Sequence, residues 1–239
     1  MSAPEPQPVL QTHDITWSFG QVPALRGVSL TVAAQESVAI MGPSGSGKST
    51  LLHCLSGVLV PQSGTAWCCG QEISALSDRQ RSHLRLSQIG FVFQDGQLIG
   101  ELSARENVAL PLMLTGTATA AAFAAADTTL DRLGLADLRH RRPGDMSGGQ
   151  AQRVAIARAM VAQPRVIFAD EPSGALDQTT GHEVVQLLTT TAQMTGTTLV
   201  MVTHDRNVAR WCSRLVEIRD GLVHSDRRID SETRAEALA

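Results

Sequence analysis

The chain has 239 residues, 43% of them hydrophobic and 18% charged, with a formal net charge of −3. This is the composition of one globular domain with at most a subdomain. Its mild acidity, without a long block of like charge, argues against the phosphate-neutralising surface that non-specific nucleic-acid binding requires. Apolar runs such as those at residues 38–41, 109–114 and 166–169 fall far short of the roughly 20 residues that span a bilayer, so no direct membrane insertion is expected. Residues 1–8, with Pro4, Pro6 and Pro8, have neither a basic start nor an apolar signal core and read as a disordered leader in the cytoplasm. Cys54, Cys68, Cys69 and Cys212 make no Cys-x-x-Cys spacing and read as reduced, mostly buried thiols.

In chain order, residues 9–33 alternate apolar and polar and predict antiparallel strands. Residues 36–41 form a strand that runs into a glycine-rich loop, and a helix opens at 48–55. Residues 64–73 and 89–93 predict further strands. Residues 95–145 have a different texture: 118–135 are rich in Ala and Leu with helical spacing, ending at Gly134 and the arginine cluster 139–142. This stretch reads as a helical insertion. A helix at 148–162, a strand at 166–169, a helix at 179–194 and a strand at 197–202 restore the αβ alternation. A hairpin turns at Asp220-Gly221 between 215–219 and 222–224, and 225–239 read as a polar tail. The fold class is therefore α/β, a mainly parallel sheet covered on both faces, with an N-terminal antiparallel β subdomain and an inserted α-helical subdomain.

Gly42-Pro43-Ser44-Gly45-Ser46-Gly47-Lys48-Ser49-Thr50 is the phosphate-binding loop pattern, placed between a strand and a helix as that loop requires. Lys48 is the single lysine, and the other 19 of the 20 Lys and Arg residues are arginine. A compact ammonium fits between phosphate oxygens where a broad planar guanidinium does not. The glycines let successive N–H groups converge on phosphate, and the helix start favours the anion. The pattern predicts a nucleoside triphosphate, with Lys48 on its β- and γ-phosphates and Ser49 on Mg²⁺. The strand at 166–169 ends in Asp170 and Glu171. Asp170 suits Mg²⁺, held through its water shell, and Glu171 suits polarising the attacking water.

Met146-Ser147-Gly148-Gly149-Gln150, before a long helix, adds a second anion-binding helix start. Together with the loop and the carboxylate pair it resembles the signature of ATP-binding-cassette (ABC) ATPases, which makes the expected core that of a P-loop NTPase. The resemblance covers roughly 9–224 and is nearest the macrolide-exporter and lipoprotein-releasing branch, with matching text at 49–53, 103–108 and 202–205. It implies a homodimer closing around two ATP, each signature capping the γ-phosphate held by the partner's loop. It further implies that Gln94 senses Mg²⁺ and water, that Ser173-Gly174-Ala175-Leu176-Asp177 crosses the dimer interface, and that His204 contacts the γ-phosphate. A permease in the cell membrane would receive the motion through a groove around 94–105, which would hold the chain at the cytoplasmic face.

Three departures from the family pattern stand out. No Tyr is present to stack on adenine. Phe19 lies nearest that place and Trp17 is the other candidate. Gln35 stands where the family has Gly, at a cost of about 1 kcal/mol if the turn needs positive φ. Met146 replaces Leu at similar volume. Two rival readings share the same cassette: an ATPase driving a transmembrane signalling complex that transports nothing, and a soluble cassette ATPase. The transported substrate and its direction are not written in this chain.

Overall fold

The computed structural model describes residues 8–230. The chain opens with β1 (Pro8–Phe19), β2 (Val22–Ala33), β3 (Ser37–Met41), α1 (Lys48–Leu55), β4 (Ser63–Cys68) and β5 (Gln71–Glu72). There follow α2 (Asp78–Gln88), β6 (Ile89–Val92), α3 (Ala104–Leu114), α4 (Thr119–Arg132) and α5 (Gly148–Met160). It closes with β7 (Val166–Asp170), α6 (Gln178–Thr195), β8 (Thr198–Val202), α7 (Arg206–Ala209), β9 (Arg214–Arg219) and β10 (Leu222–Arg228).

Two sheets result. The first is antiparallel, in the order β2-β1-β4-β5. The second has the order β10-β9-β3-β8-β7-β6, with every neighbour parallel except the β10–β9 hairpin. Its inner strands are continuous apolar runs, as a sheet buried on both faces demands; β8, Thr-Leu-Val-Met-Val, is buried throughout. α1 lies between the sheets, where Leu51, Leu52 and Leu55 share one core with Leu10, Ile15 and Val28 of the first sheet and Ile40 and Phe168 of the second. A second core joins the opposite face of the parallel sheet to α5 and α6, through Ile156, Met160, Val184 and Leu188.

Within the stretch 95–145, a further helix, α3, precedes α4. α3 is announced by a capping box in which Ser103 Oγ accepts from the Glu106 N–H and Glu106 Oε2 accepts from the Ser103 N–H. The same device, Ser77 with Gln80, starts α2, which no apolar periodicity signals. α3 and α4 pack on α5 through Val108, Ala126, Leu130, Val154 and Ala157. Thus α5 contributes to both the core of the insertion and the core of the parallel sheet.

Two expectations are corrected. The last strand does not stop at 224: β10 pairs along β9 as far as Arg228 opposite Arg214. Arg214 donates to both carboxylate oxygens of Asp226 at 2.7 and 2.6 Å, which secures that pairing. Residues 225–228 are therefore sheet, while 231–239 of the expected tail lie outside the described residues. Of the expected leader only Pro8 is described, and it opens β1; 1–7 lie outside. Gln35 does adopt positive φ, 65°, and its N–H is held by Thr198 Oγ1 at 2.9 Å. No disulfide links the cysteines among the described residues.

Asn107, fully buried in α3, fixes the loop that enters the insertion. Its side-chain amide donates to the carbonyls of Ile99, Leu102 and Ser103 at 3.1 Å and its Oδ1 accepts from the Ile99 N–H at 2.8 Å. Asn107→Ala strands those buried groups and is expected to destabilise the protein by about 2–3 kcal/mol, read as a lowered urea midpoint.

Candidate active site

The loop between β3 and α1 is built by close backbone approach. A Cβ on Gly42 would collide with the Ile218 carbonyl, and one on Gly47 with the Ala24 carbonyl. Gly47 also sits at φ 102°, which a side chain resists. The Gly221 N–H donates to the Ser46 carbonyl at 3.1 Å, and the Arg26 N–H donates to Gly221 O at 2.9 Å. The loop is thus pinned from both sheets. Lys48, 8% exposed, donates from Nζ to Pro43 O at 2.9 Å, which leaves other ammonium protons for an incoming anion. The Ser46 hydroxyl is buried and has no partner among the described residues. A spare cationic donor, an orphaned hydroxyl and the start of α1 all suit a chain of phosphates.

Across the loop, Ser49 Oγ donates to Asp170 Oδ1 at 3.3 Å. Burial pushes the Asp170 carboxyl above the usual range, and the Ser49 hydrogen bond works against that rise. These are hard oxygen donors of the kind Mg²⁺ takes beside phosphate. Glu171 leaves the strand in the left-handed conformation, φ 46°, with its N–H on Val202 O at 2.9 Å. A non-glycine residue held there is strained. Simple alternation would send Glu171 to the face opposite Asp170; instead both carboxylates line one hollow of about 520 Å³ with Ser49 and Gln94. His204, after β8, lies with Nδ1 3.2 Å from Glu171 Oε2. The Gln94 side chain rests on Gly174, where a Cβ would stand only 3.0 Å from Nε2.

The structure therefore brings together Ser49, Gln94, Asp170, Glu171 and His204 beside the loop 42–50. The signature residues line neither this hollow nor the one around His204. Ser147 caps α5, its Oγ accepting from the Gln150 N–H at 3.2 Å while Gln150 Oε1 accepts from the Ser147 N–H at 3.0 Å. Gly148 and Gly149 are small because Leu176 and Thr180 press on them. Phe19, 58% exposed, stands at the tip of the β1–β2 hairpin, whereas Trp17 packs into the core and meets Phe19 edge-on at 6.1 Å.

A groove of about 700 Å³ separates the core from the insertion and includes Val58, Phe91, Gln97, Ile99 and Pro111 in its wall. Arg105, expected at such a groove, turns away: its guanidinium pairs with Asp127 at 2.7 Å and lies over the Phe123 ring. Sequence reading also missed Gly221, whose Asp-Gly turn reveals a hairpin but not its bond to the phosphate loop, and Gln152 and Arg158, taken up below.

Fold and site together define a P-loop nucleotide-binding domain with a signature helix. The ABC transporter family profile matches residues 25–174, and the chain belongs to that family. It is 46% identical over 226 residues to the macrolide export ATP-binding/permease protein MacB 1 of Aeromonas hydrophila, covering 93% of this chain and 35% of that protein. It is 42% identical over 230 residues to the pyoverdine export ATP-binding/permease protein PvdT of Pseudomonas aeruginosa, covering 94% and 34%. The chain spans about a third of the length of these curated relatives. Among solved structures, the dimeric post-hydrolysis ATP-binding cassette MJ0796 bound to ADP and Pi superposes with a TM-score of 0.83 at 37% identity, covering 93% of this chain and 99% of that one. CbiO1 of Clostridium perfringens, part of the cbiONQ complex, gives 0.84 at 29% identity, covering 97% and 92%.

The raised Asp170 pKa bears on the stability of the ligand-free fold. Ionised Asp170 lowers the stability of the ligand-free fold above its unfolded-state pKa, and that loss is complete once the pH exceeds its folded-state pKa. Asp170→Asn is therefore expected to raise the melting temperature of the ligand-free protein at neutral pH. It should also abolish the Mg²⁺-dependent part of the thermal shift produced by a nucleotide. A scan with and without Mg²⁺ reads both.

Proposed function

We propose that this chain is the ATP-binding and ATP-hydrolysing cassette of an ABC transporter. Two copies close around two ATP and drive a membrane permease that exports its substrate or extracts it from the membrane. The observation that carries the reading is the meeting of Ser49, Gln94, Asp170 and Glu171 in one hollow at the mouth of the phosphate loop. A capped signature helix stands outside that hollow, so one chain holds two halves of different sites.

The loop N–H groups and Lys48 bind the phosphates, with Ser46 completing the cradle. Ser49 and Asp170 would hold Mg²⁺, which would supply positive charge against the phosphoryl oxygens. Gln94, in the same hollow, would orient the attacking water and the metal. Glu171 accepts a proton from the attacking water, and His204, tethered to it through Nδ1, contacts the γ-phosphate. Phe19 offers the exposed ring for adenine. Ser147, Gly148, Gly149 and Gln150 reach the γ-phosphate held by the other copy, because the cap leaves the Gly148 and Gly149 N–H groups to an outside acceptor. Hydrolysis removes the group that bridges the two copies and lets them part.

No helix among the described residues is long and apolar enough to cross a membrane, which supports delivery of the motion to a separate segment or subunit. The apolar groove beside Ile99 suits a cytoplasmic helix of that partner, and the chain would sit at the inner face of the cell membrane through it. The export names of the two curated relatives support the direction.

Lys48→Ala is expected to lower turnover at least about a hundredfold; wild-type turnover would remove the assignment. Glu171→Gln should retain Mg-ATP binding, slow hydrolysis by a similar or larger factor, and accumulate as a dimer in light scattering. Tagged Glu171→Gln protein, used as bait in detergent-solubilised membranes with Mg-ATP, should recover an integral membrane protein in fixed ratio. Ile99→Glu on the same bait should lose it. Recovery of soluble proteins alone would favour a soluble cassette ATPase, and a membrane partner lacking a substrate path would favour signalling.

A further inference from the structure

Among the described residues no carboxylate lies within ion-pair distance of Arg158, and burial pulls its pKa down. A desolvated charge that lacks an ionic partner detracts from stability, so its place needs another reason. Its guanidinium donates to two successive carbonyls, Gly96 O and Gln97 O, both at 2.7 Å. Six residues earlier on α5, Gln152, 2% exposed, donates from Nε2 to Phe93 O at 2.7 Å. Residues 152, 155 and 158 recur every third position and so form one stripe on the helix. Gly96, at φ 69°, lies on that stripe, with its Cβ position 3.1 Å from Gln152 Oε1 and 3.5 Å from the Ala155 Cβ.

The two side chains therefore grip the carbonyls of 93, 96 and 97, and Gln94 stands inside the grip. α5 is capped by Ser147 and carries the signature at its N-terminus, and Arg158 also borders the groove beside Gln97 and Ile99. From this geometry we infer that Arg158 and Gln152 are positioning residues that set Gln94 relative to Asp170 and Glu171. They make its placement follow the position of α5 and the occupant of the groove. A planar fork is the group that can hold two adjacent carbonyls at once; an ammonium has the charge without the shape. Neither residue touches the reacting atoms. The inference rests on the proposed role of Gln94 in hydrolysis, and the experiment separates the two.

Turnover and nucleotide affinity are measured for wild type, Gln94→Ala, Arg158→Met and the double variant, with melting temperature and far-UV circular dichroism as fold controls. Arg158→Met is expected to lower kcat roughly tenfold to a hundredfold, the scale of a misplaced reacting group, with ATP affinity within about twofold of wild type. Arg158→Lys should recover only part of the loss. In the Gln94→Ala background the same substitution should lower kcat by no more than about twofold, because its target is already gone. Multiplicative losses in the double variant, or wild-type turnover in Arg158→Met, would overturn the inference. Wild-type turnover in Gln94→Ala itself would instead overturn the role of Gln94. If Arg158→Met fails to fold, Arg158→Lys and Gln152→Ala, each combined with Gln94→Ala, give the same reading.

Discussion

The approach of Gly42 and Gly47 to the carbonyls of Ile218 and Ala24 is the contact on which the site depends. A phosphate loop needs its backbone held open and fixed while α1 starts at Lys48. Here the central sheet supplies one wall through β9 and the antiparallel sheet supplies the other through β2. Gly221 ties them, giving its N–H to Ser46 and its carbonyl to Arg26. The small antiparallel sheet therefore helps hold the phosphate loop even though none of the residues in the hollow beside it come from that sheet. Its hairpin tip is also where the exposed Phe19 ring stands.

Much of this was legible in the residues because the requirements are local. A glycine-rich loop with Lys between a strand and a helix leaves few alternatives, and an apolar strand ending in Asp-Glu declares itself. The parallel sheet followed from apolar runs too short for helices. The length of β10 was not legible, because its outer half, Ser-Asp-Arg-Arg, is polar and is held by Arg214 and Glu217 across the hairpin. α2 was missed for a related reason: with Leu84 its only buried residue, it shows almost no apolar stripe. The Ser-x-x-Gln capping box was the available signal there, as Ser-x-x-Glu was for α3.

Within the site, residue types were readable and conformations were not. The left-handed turn at Glu171 is invisible in the text Ala-Asp-Glu-Pro, yet it is what brings consecutive carboxylates to one hollow rather than to opposite faces of β7. The strain is sustained by the Glu171 N–H bond to Val202 and by the Gly174 N–H bond back to the Glu171 carbonyl. Arg105 shows the converse. It closes the stretch 94–105 expected to border the groove, but a ring and a carboxylate from α4 claim it. Contacts made across 18 and 22 residues of sequence leave no local mark.

The division of labour along α5 follows from its packing. One side of the helix is fixed in the core under the parallel sheet and another in the core of the insertion. The helix can therefore tilt only if one of those packings shears, and small shears of close-packed helices are discrete shifts rather than smooth deformations. Ser147 and the two glycines ride on its first turn, where the positive end of the helix dipole favours an anion. A phosphate bound at that end, as proposed, would bias α5 toward one arrangement. Whatever α5 holds farther along must follow, and what it holds there is the backbone on either side of Gln94. In the proposed dimer, a phosphate at the first turn and a partner helix in the groove would act on the same rod from different ends.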